Sequence, residues 1–79
     1  MQMRLIKAML VSAKDDDYLQ FDFESGKELL FKKSLMECYF LQKGKYIQIE
    51  DKSKKELHMI NTSKIDLITL IKPKFKTIS

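Results

Sequence analysis

The sequence predicts a mainly β domain, a small antiparallel barrel or half-barrel of five to seven strands. Three features indicate this class: short segments in which apolar and polar residues alternate, tight polar turns between them, and two glycines placed in those turns. A chain of 79 residues has room for one domain and one core. We assign residues 1–72 to that domain and residues 73–79 to a basic C-terminal tail, because Pro73 cannot donate a hydrogen bond within a strand.

The first predicted hairpin is fixed by its loop. Residues 18–23 alternate as a half-buried strand does, with Phe21 turned to the interior. Residues 24–26 then form a three-residue loop whose last position, a glycine, takes the left-handed conformation. This loop sets Phe21 opposite Leu29 on the core side, whereas a two-residue loop would bring Glu28 to the core and is rejected.

A second hairpin is predicted further along the chain. Residues 45–50 and 56–60 alternate in the same way, and the polar residues 51–55 between them suit a hairpin loop. The residues expected to face the core are Ile47, Ile49, Leu57 and Met59.

The segment around residues 34–43 fits two structures. Ser34 and Glu37 form a capping box and a glycine follows the segment, a pattern typical of one short helix. Its central run of aromatic and apolar residues is typical of a strand. We favour the strand, in a hairpin that sets Tyr39 opposite Ile47.

The two ends of the domain are interpreted as strands as well. Residues 3–13 have helix-favouring composition, but apolar residues occupy both faces and the polar residues 15–17 form a short turn into the next strand. We therefore predict a central strand over residues 3–13. Residues 61–64 form a tight turn, and a β-rich run follows over residues 67–71.

The order of a strand, a polar one-turn link and a last strand resembles SH3-like and Sm-like barrels over roughly residues 19–71. The resemblance is to the architecture type only. Sm-like proteins place an RNA-binding Lys-His or Arg-Gly pair before the last strand, where this chain has the sequence Asn-Thr-Ser-Lys at residues 61–64. The resemblance implies a small barrel without that RNA-binding motif.

The sequence has no recognisable catalytic or cofactor-binding set, and we predict that the protein is not an enzyme. His58, the only histidine, is expected to point outward, and Cys38, the only cysteine, to be a buried structural thiol. The acidic residues 15–17 lack the spacing of a calcium loop and are interpreted as a solvated turn. Two glycines cannot build a phosphate-binding loop. We expect no catalytic residue, no metal and no cofactor.

The sequence also predicts a cytoplasmic location without membrane association. Uninterrupted apolar runs reach only four residues, far short of the roughly 20 that a membrane-spanning helix needs. The first residues are similar to a signal peptide, but Lys7 interrupts their apolar part. A single cysteine fits a reducing compartment.

The net charge of +4 is concentrated in the C-terminal half, where residues 41–79 hold nine basic and four acidic side chains. Lysines beside an outward tyrosine could follow a phosphate backbone while the ring stacks on a base. A small RNA-binding or single-stranded-DNA-binding protein is therefore the alternative function. A solvated lysine-rich loop explains the same residues without any ligand. The candidate nucleic-acid contacts are Lys43, Lys45, Tyr46, Lys52, Lys54, Lys55 and Lys64.

The leading prediction is a non-enzymatic binding or regulatory module that acts through protein–protein contacts, with a homo-oligomer as one form. A core of this size is near the lower limit for a stable domain, and some apolar residues have no evident place in it. Methionine suits an adaptable contact surface. The candidate interface residues are Met1, Met3, Met36 and Ile60.

Overall fold

The computed structural model describes residues 1–73 of the chain. One α-helix and six strands follow in order: α1 Met3–Ser12, β1 Tyr18–Phe23, β2 Glu28–Lys32, β3 Met36–Leu41, β4 Tyr46–Asp51, β5 Glu56–Asn61 and β6 Ile65–Ile71. Three single-turn 3₁₀ helices, Lys33–Leu35, Gln42–Gly44 and Thr62–Lys64, link β2 to β3, β3 to β4 and β5 to β6. The mainly β class is confirmed. The predicted basic tail lies, apart from Pro73, outside the described residues.

The strands form two antiparallel sheets of three strands each, in the orders β2-β1-β6 and β3-β4-β5. The six strands fall within the predicted range. Over residues 1–73 no strand pairing joins one sheet to the other, so the strands do not form a closed barrel. Each sheet consequently keeps two edge strands.

Helix α1 replaces the central strand predicted over residues 3–13, and that prediction is wrong. Ile6 and Leu10 are buried and lie four positions apart, which stacks them on one face of a helix. Ala13, just beyond the helix, is also buried. Val11, on the other side, is 85% exposed. The apolar residues that would occupy both faces of a strand are thus gathered toward one side by the helical period.

The first hairpin has the predicted register. Phe21 lies opposite Leu29, and Leu19 lies opposite Phe31. Gly26 ends the loop with a φ of +91°, a conformation that side chains other than glycine rarely adopt. The three-residue loop therefore fixes which face of both strands is buried.

Strand β3 confirms the favoured structure for the segment before Gly44, but its predicted register is wrong by one residue. Phe40, and not Tyr39, lies opposite Ile47. The loop between β3 and β4 has four residues, and its first two, Gln42 and Lys43, take φ values of 50° and 57°. Because the loop is one residue longer than expected, Tyr39 turns to the outside and is 57% exposed.

Strand β5 buries the opposite face from the one predicted. His58 and Ile60 lie directly opposite the two buried isoleucines of β4, and residues opposite each other in an antiparallel pair share a face. Leu57 and Met59 are 62% and 56% exposed, so their predicted inward orientation is wrong. His58, predicted to point outward, faces inward and is half-buried.

The core lies between the two sheets and the inner side of α1. Its centre is aromatic, because the rings of Phe21 and Phe31 meet edge to face with centroids 5.7 Å apart. The buried apolar residues are Ile6, Leu10, Ala13, Leu19, Phe21, Phe31, Met36, Ile47, Ile49, Ile60, Ile65 and Ile68.

The acidic turn after α1 was predicted to be solvated, but one of its residues is buried: Asp17 is only 2% exposed. Its carboxylate accepts hydrogen bonds from the Lys14 amide at 2.8 Å and from Lys72 Nζ at 2.9 Å. Asp17 therefore ties the turn to the end of β6, on the far side of β1 from β2. The hydrogen bonds that it accepts favour its charged form.

The stability of the fold is expected to fall in acid because of two buried carboxyls. The Lys14 amide and then Lys72 Nζ lower the pKa of Asp17, and a hydrogen bond from the Ser53 hydroxyl at 2.5 Å is the main cause lowering the pKa of Asp51. Each carboxyl binds its proton more weakly in the folded state. Its contribution to the free energy of unfolding is therefore complete above about pH 4 and is lost as the pH falls through the lower, folded-state pKa.

Thermal unfolding followed by circular dichroism between about pH 2 and pH 7 measures this dependence. The melting temperature should decline below about pH 4, and the decline should be shallower in Asp17→Asn and Asp51→Asn. Asp66→Asn, at an exposed position of β6, is the matched control and should keep the wild-type profile. Equal profiles for all four proteins would contradict the assignment.

Candidate functional site

The sheet β3-β4-β5 turns one face to the core and the other to solvent, and we call the second its outer face. Alternate residues of each strand reach it. Its members are Glu37, Tyr39, Leu41, Tyr46, Gln48, Glu50, Leu57, Met59 and Asn61. Of the ten large apolar side chains exposed over residues 1–73, four lie here: Tyr39, Leu41, Leu57 and Met59.

The register divides the outer face into three rows that run across the strands. We call these the acidic row, Glu37–Glu50–Leu57, the central row, Tyr39–Gln48–Met59, and the Tyr46 row, Leu41–Tyr46–Asn61. A shallow hollow of about 310 Å³ lies between the last two rows, lined by Leu41, Gln42, Tyr46 and Met59. Apolar side chains therefore form a continuous band from the edge strand β3 to the edge strand β5.

A second concave feature, which we call the edge groove, lies between strands β2 and β5. Both are edge strands, so each has backbone groups that no neighbouring strand of this chain pairs with. The groove has a volume of about 580 Å³. Its lining is Phe23, Glu24, Ser25, Lys27, Leu29, His58, Met59, Ile60, Asn61 and Lys64. Met59 lines both the edge groove and the hollow, so the two features adjoin.

His58 lies at the inner side of the edge groove and is held by two contacts. Its ring meets Phe31 edge to face at 5.5 Å, and its Nε2 lies 3.1 Å from Glu56 Oε1. A catalytic histidine needs a neighbouring group that it can activate. The Phe31 ring and the Glu56 carboxylate hold the imidazole ring of His58 in place.

Cys38 is half-buried on the core side of β3. Burial raises the pKa of its thiol, an effect that the charge of Lys33 partly opposes. A raised pKa keeps the sulfur protonated, and the protonated thiol is a poor nucleophile.

The candidate nucleic-acid contacts are divided between the two ends of the β3-β4-β5 sheet. Lys43, Lys45 and Lys64 lie in turns at the end where β4 begins, and the lysines of the loop 52–55 lie at the other. Six residues of strand separate the two ends by about 17 Å or more. Nearest the sheet, Lys45 Nζ lies 5.9 Å from the ring centroid of Tyr46. These seven candidate residues, all within the described range, therefore form two separate clusters.

The four candidate interface residues lie in or beside the core. Met36 and Ile60 are 8% and 6% exposed and belong to the core. Met1 and Met3 are half-buried. The Met1 nitrogen donates a hydrogen bond to the carbonyl oxygen of Thr62 at 2.6 Å. The exposed apolar surface is therefore built from a different set of residues, those of the outer face.

Within residues 1–73, no three His, Cys, Asp or Glu side chains are grouped closely enough to hold a metal ion. No helix in the same range is long and apolar enough to cross a membrane. Comparisons of the chain with protein-family models, with curated proteins and with solved structures found no match.

Proposed function

We propose that this protein is a non-enzymatic binding module that acts through protein–protein contacts, with the outer face of the β3-β4-β5 sheet as its contact surface. The observation that carries the proposal is the band of exposed apolar side chains across that sheet. Tyr39, Leu57 and Met59 are each more than half exposed.

Apolar side chains grouped on one face of a sheet are a typical feature of contact surfaces, whereas single exposed apolar residues are common and need no explanation. A partner that covers these side chains gains on the order of 1 kcal/mol for each one that it removes from water. Tyr39 and Met59 flank Gln48 in the central row, and charged residues occur in the acidic row. This is the arrangement of a contact surface with an apolar centre and a polar rim.

Two further features support a binding role. The open edges of β2 and β5 offer backbone hydrogen bonds to an added strand. The one-turn helix Thr62–Lys64 before the last strand, and the change of sheet between β2 and β3, support an SH3-like arrangement of the strands.

The separation of the lysines into two clusters gives less support to nucleic-acid binding, because a phosphate backbone is best followed by one continuous basic surface.

Photo-cross-linking in the cells that produce the protein tests the proposal. Tyr39 is replaced by p-benzoylphenylalanine, which captures a protein within reach of the outer face on illumination. We expect a discrete cross-linked species whose mass exceeds that of the chain, because a partner covers this position.

Two controls make the result specific to the outer face. Val11→p-benzoylphenylalanine carries the same group on the exposed side of α1 and should give no such species. Met59→Asp, combined with the group at Tyr39, should abolish the species, because it places a charge in the centre of the contact. Absence of a cross-link from Tyr39, or equal cross-linking from Val11, would refute the proposal.

A further inference from the structure

We infer that the partner contributes an extended segment that adds as a strand to the free edge of β5, with alternate apolar side chains in the edge groove and an acidic side chain beside Lys27 and Lys64. This inference rests on the proposed function, because it states how the partner of the outer face is held. Three features carry it: the free backbone groups of β5, the lining of the edge groove and the charge at one end of that groove.

Strand β5 directs half of its backbone groups away from β4. In an antiparallel pair, residues that bond to the neighbouring strand alternate with residues that do not. The Thr62 amide donates to the Lys45 carbonyl oxygen at 3.0 Å, and the register stays constant along β5. His58 and Ile60 are therefore bonded to β4. The alternate residues direct their N–H and C=O groups to the free edge, and these are Leu57, Met59 and Asn61.

A strand added to this edge continues both faces of the sheet. Residues directly opposite each other in paired strands share a face. The side chain opposite Met59 extends the central row of the outer face, and the side chains opposite His58 and Ile60 enter the edge groove. One added strand thus covers part of the apolar band and fills the groove.

The lining of the edge groove fits apolar side chains on the inward face of that strand. Phe23 and Leu29 line it from the β1–β2 hairpin, and Ile60 lines it from β5. Phe23 and Leu29 pack against the core but are only half-buried, so part of their apolar surface stays uncovered by the chain. Every second side chain of a strand lies on one face. The groove therefore selects a segment with apolar residues two positions apart.

The groove end next to the β1–β2 loop, which we call the lysine end, has an excess of positive charge. It is lined by Lys27 and Lys64 and by one acid, Glu24. All three are exposed, and none takes part in an ion pair within residues 1–73. Two more lysines lie in the β3–β4 loop, which the Thr62 amide joins to the turn before β6, and one more acid, Asp66, lies in β6. A carboxylate of the added strand is attracted to this end.

The other end of the groove does not select a charge. A smaller hollow of about 280 Å³ continues the groove there and shares Leu29 and His58 with it. The lysines of the loop 52–55, of which Lys54 lines the hollow, offset its acids. Those acids are Glu28, Asp51 and Glu56. The acidic side chain of the partner is therefore assigned to the lysine end.

These features define the sequence pattern of the partner's segment. The inward positions opposite His58 and Ile60 are apolar, and the next inward position, opposite Thr62, is acidic because it lies at the lysine end. Antiparallel pairing, which β5 has with β4, is the slightly more stable arrangement. Read from its N-terminus, the segment is therefore acidic, any residue, apolar, any residue, apolar.

Selection of phage-displayed random peptides on the full chain tests the inference. We expect the enriched peptides to share this alternating pattern. Their binding, measured by fluorescence anisotropy, should be about tenfold weaker to Met59→Pro than to Met59→Ala, because proline lacks the N–H that the added strand needs. That N–H is not bonded to β4, so a proline at this edge position is compatible with the sheet.

Two matched controls locate the segment on β5 and at the lysine end. Leu30→Pro removes a free N–H from the edge strand β2 instead, since the Phe23 amide bonds to the Lys27 carbonyl and Leu30 falls among the unbonded residues. It should bind as the wild type does. Lys64→Glu should weaken binding about threefold or more, whereas Lys55→Glu, exposed at the other end, should leave it unchanged.

Enriched peptides without the alternating pattern, or no enrichment at all, overturn the inference. So does equal binding to Met59→Pro and Met59→Ala. The Lys64→Glu comparison decides independently if circular dichroism shows that Met59→Pro does not fold. A Tyr39 cross-link that forms equally in Met59→Pro and Met59→Ala leaves the proposed function standing without strand addition. Absence of any cross-link from Tyr39 removes the proposed function itself.

Discussion

Replacing Phe21 by alanine is expected to lower the free energy of unfolding by about 3–5 kcal/mol. The side chain is fully buried and packs edge to face against Phe31 in the centre of the core. Its removal loses the transfer free energy of the ring and leaves a cavity that the two sheets cannot readily fill. A domain of this size has a total stability of only about 4–12 kcal/mol, so the variant should be partly or wholly unfolded at physiological temperature.

Urea denaturation measures this loss. Unfolding is followed by far-UV circular dichroism, because the chain contains no tryptophan whose fluorescence could report it. Leu30→Ala is the matched control. Leu30 lies in the neighbouring strand β2 and is 47% exposed on the other face of the same sheet. Its replacement should cost about 1 kcal/mol or less. A Phe21→Ala midpoint close to that of Leu30→Ala would show that the core does not lie between the two sheets.

The second large effect is expected at Gly44, where alanine should cost about 2–4 kcal/mol. Its φ of +91° is strained for any other residue. In addition, a Cβ built there would lie 2.7 Å from the Sδ and 2.8 Å from the Cβ of Met3. The Met3 Cβ is fixed to the backbone of α1, so relief requires the helix to move away from the β3–β4 loop.

Gly26→Ala separates the backbone strain of a positive φ from the steric contact with Met3. Gly26 has the same φ of +91°, but a Cβ there would meet nothing within 4 Å. It should therefore cost only the backbone strain, about 1–2 kcal/mol. Denaturant midpoints for the two variants, compared at equal slope, give the difference between them. Equal losses would mean that α1 does not pack against Gly44.

The β1–β2 hairpin was predictable because several kinds of local information agree on it. Alternation, a glycine at the left-handed position and the burial of Phe21 all indicate one register. The sequence of the β3–β4 loop does not indicate one register, because Gln42 and Lys43 adopt positive φ values that residues of their types rarely take. The extra loop residue shifts the pairing of β3 and reverses the exposure expected for Tyr39.

Strand β5 shows why the outer face could not be predicted from the sequence. Both of its faces carry apolar residues, and the pattern alone cannot distinguish Leu57 and Met59 from Ile60 with His58. In the structure, His58 turns to the inner face and contacts Phe31. That contact joins residues distant in the chain, so the local pattern does not reveal it. The predicted five-residue loop 51–55 would set Ile60 opposite Tyr46, whereas the observed four-residue loop 52–55 sets Asn61 there, so a difference of one loop residue reverses the face that β5 buries.

The position of β1 has a consequence for biosynthesis. Strand β1 is the central strand of its sheet. One of its edges pairs with β2, the next strand in the chain, and the other pairs with β6, the last strand, with Tyr18 opposite Ile71. As long as residues 65–71 are still inside the ribosome, β1 can pair with β2 but not with β6, so one edge of β1 stays unpaired. Nascent chains that stall before residue 65 should therefore be prone to intermolecular strand addition, and a holding chaperone would be of most use in that interval.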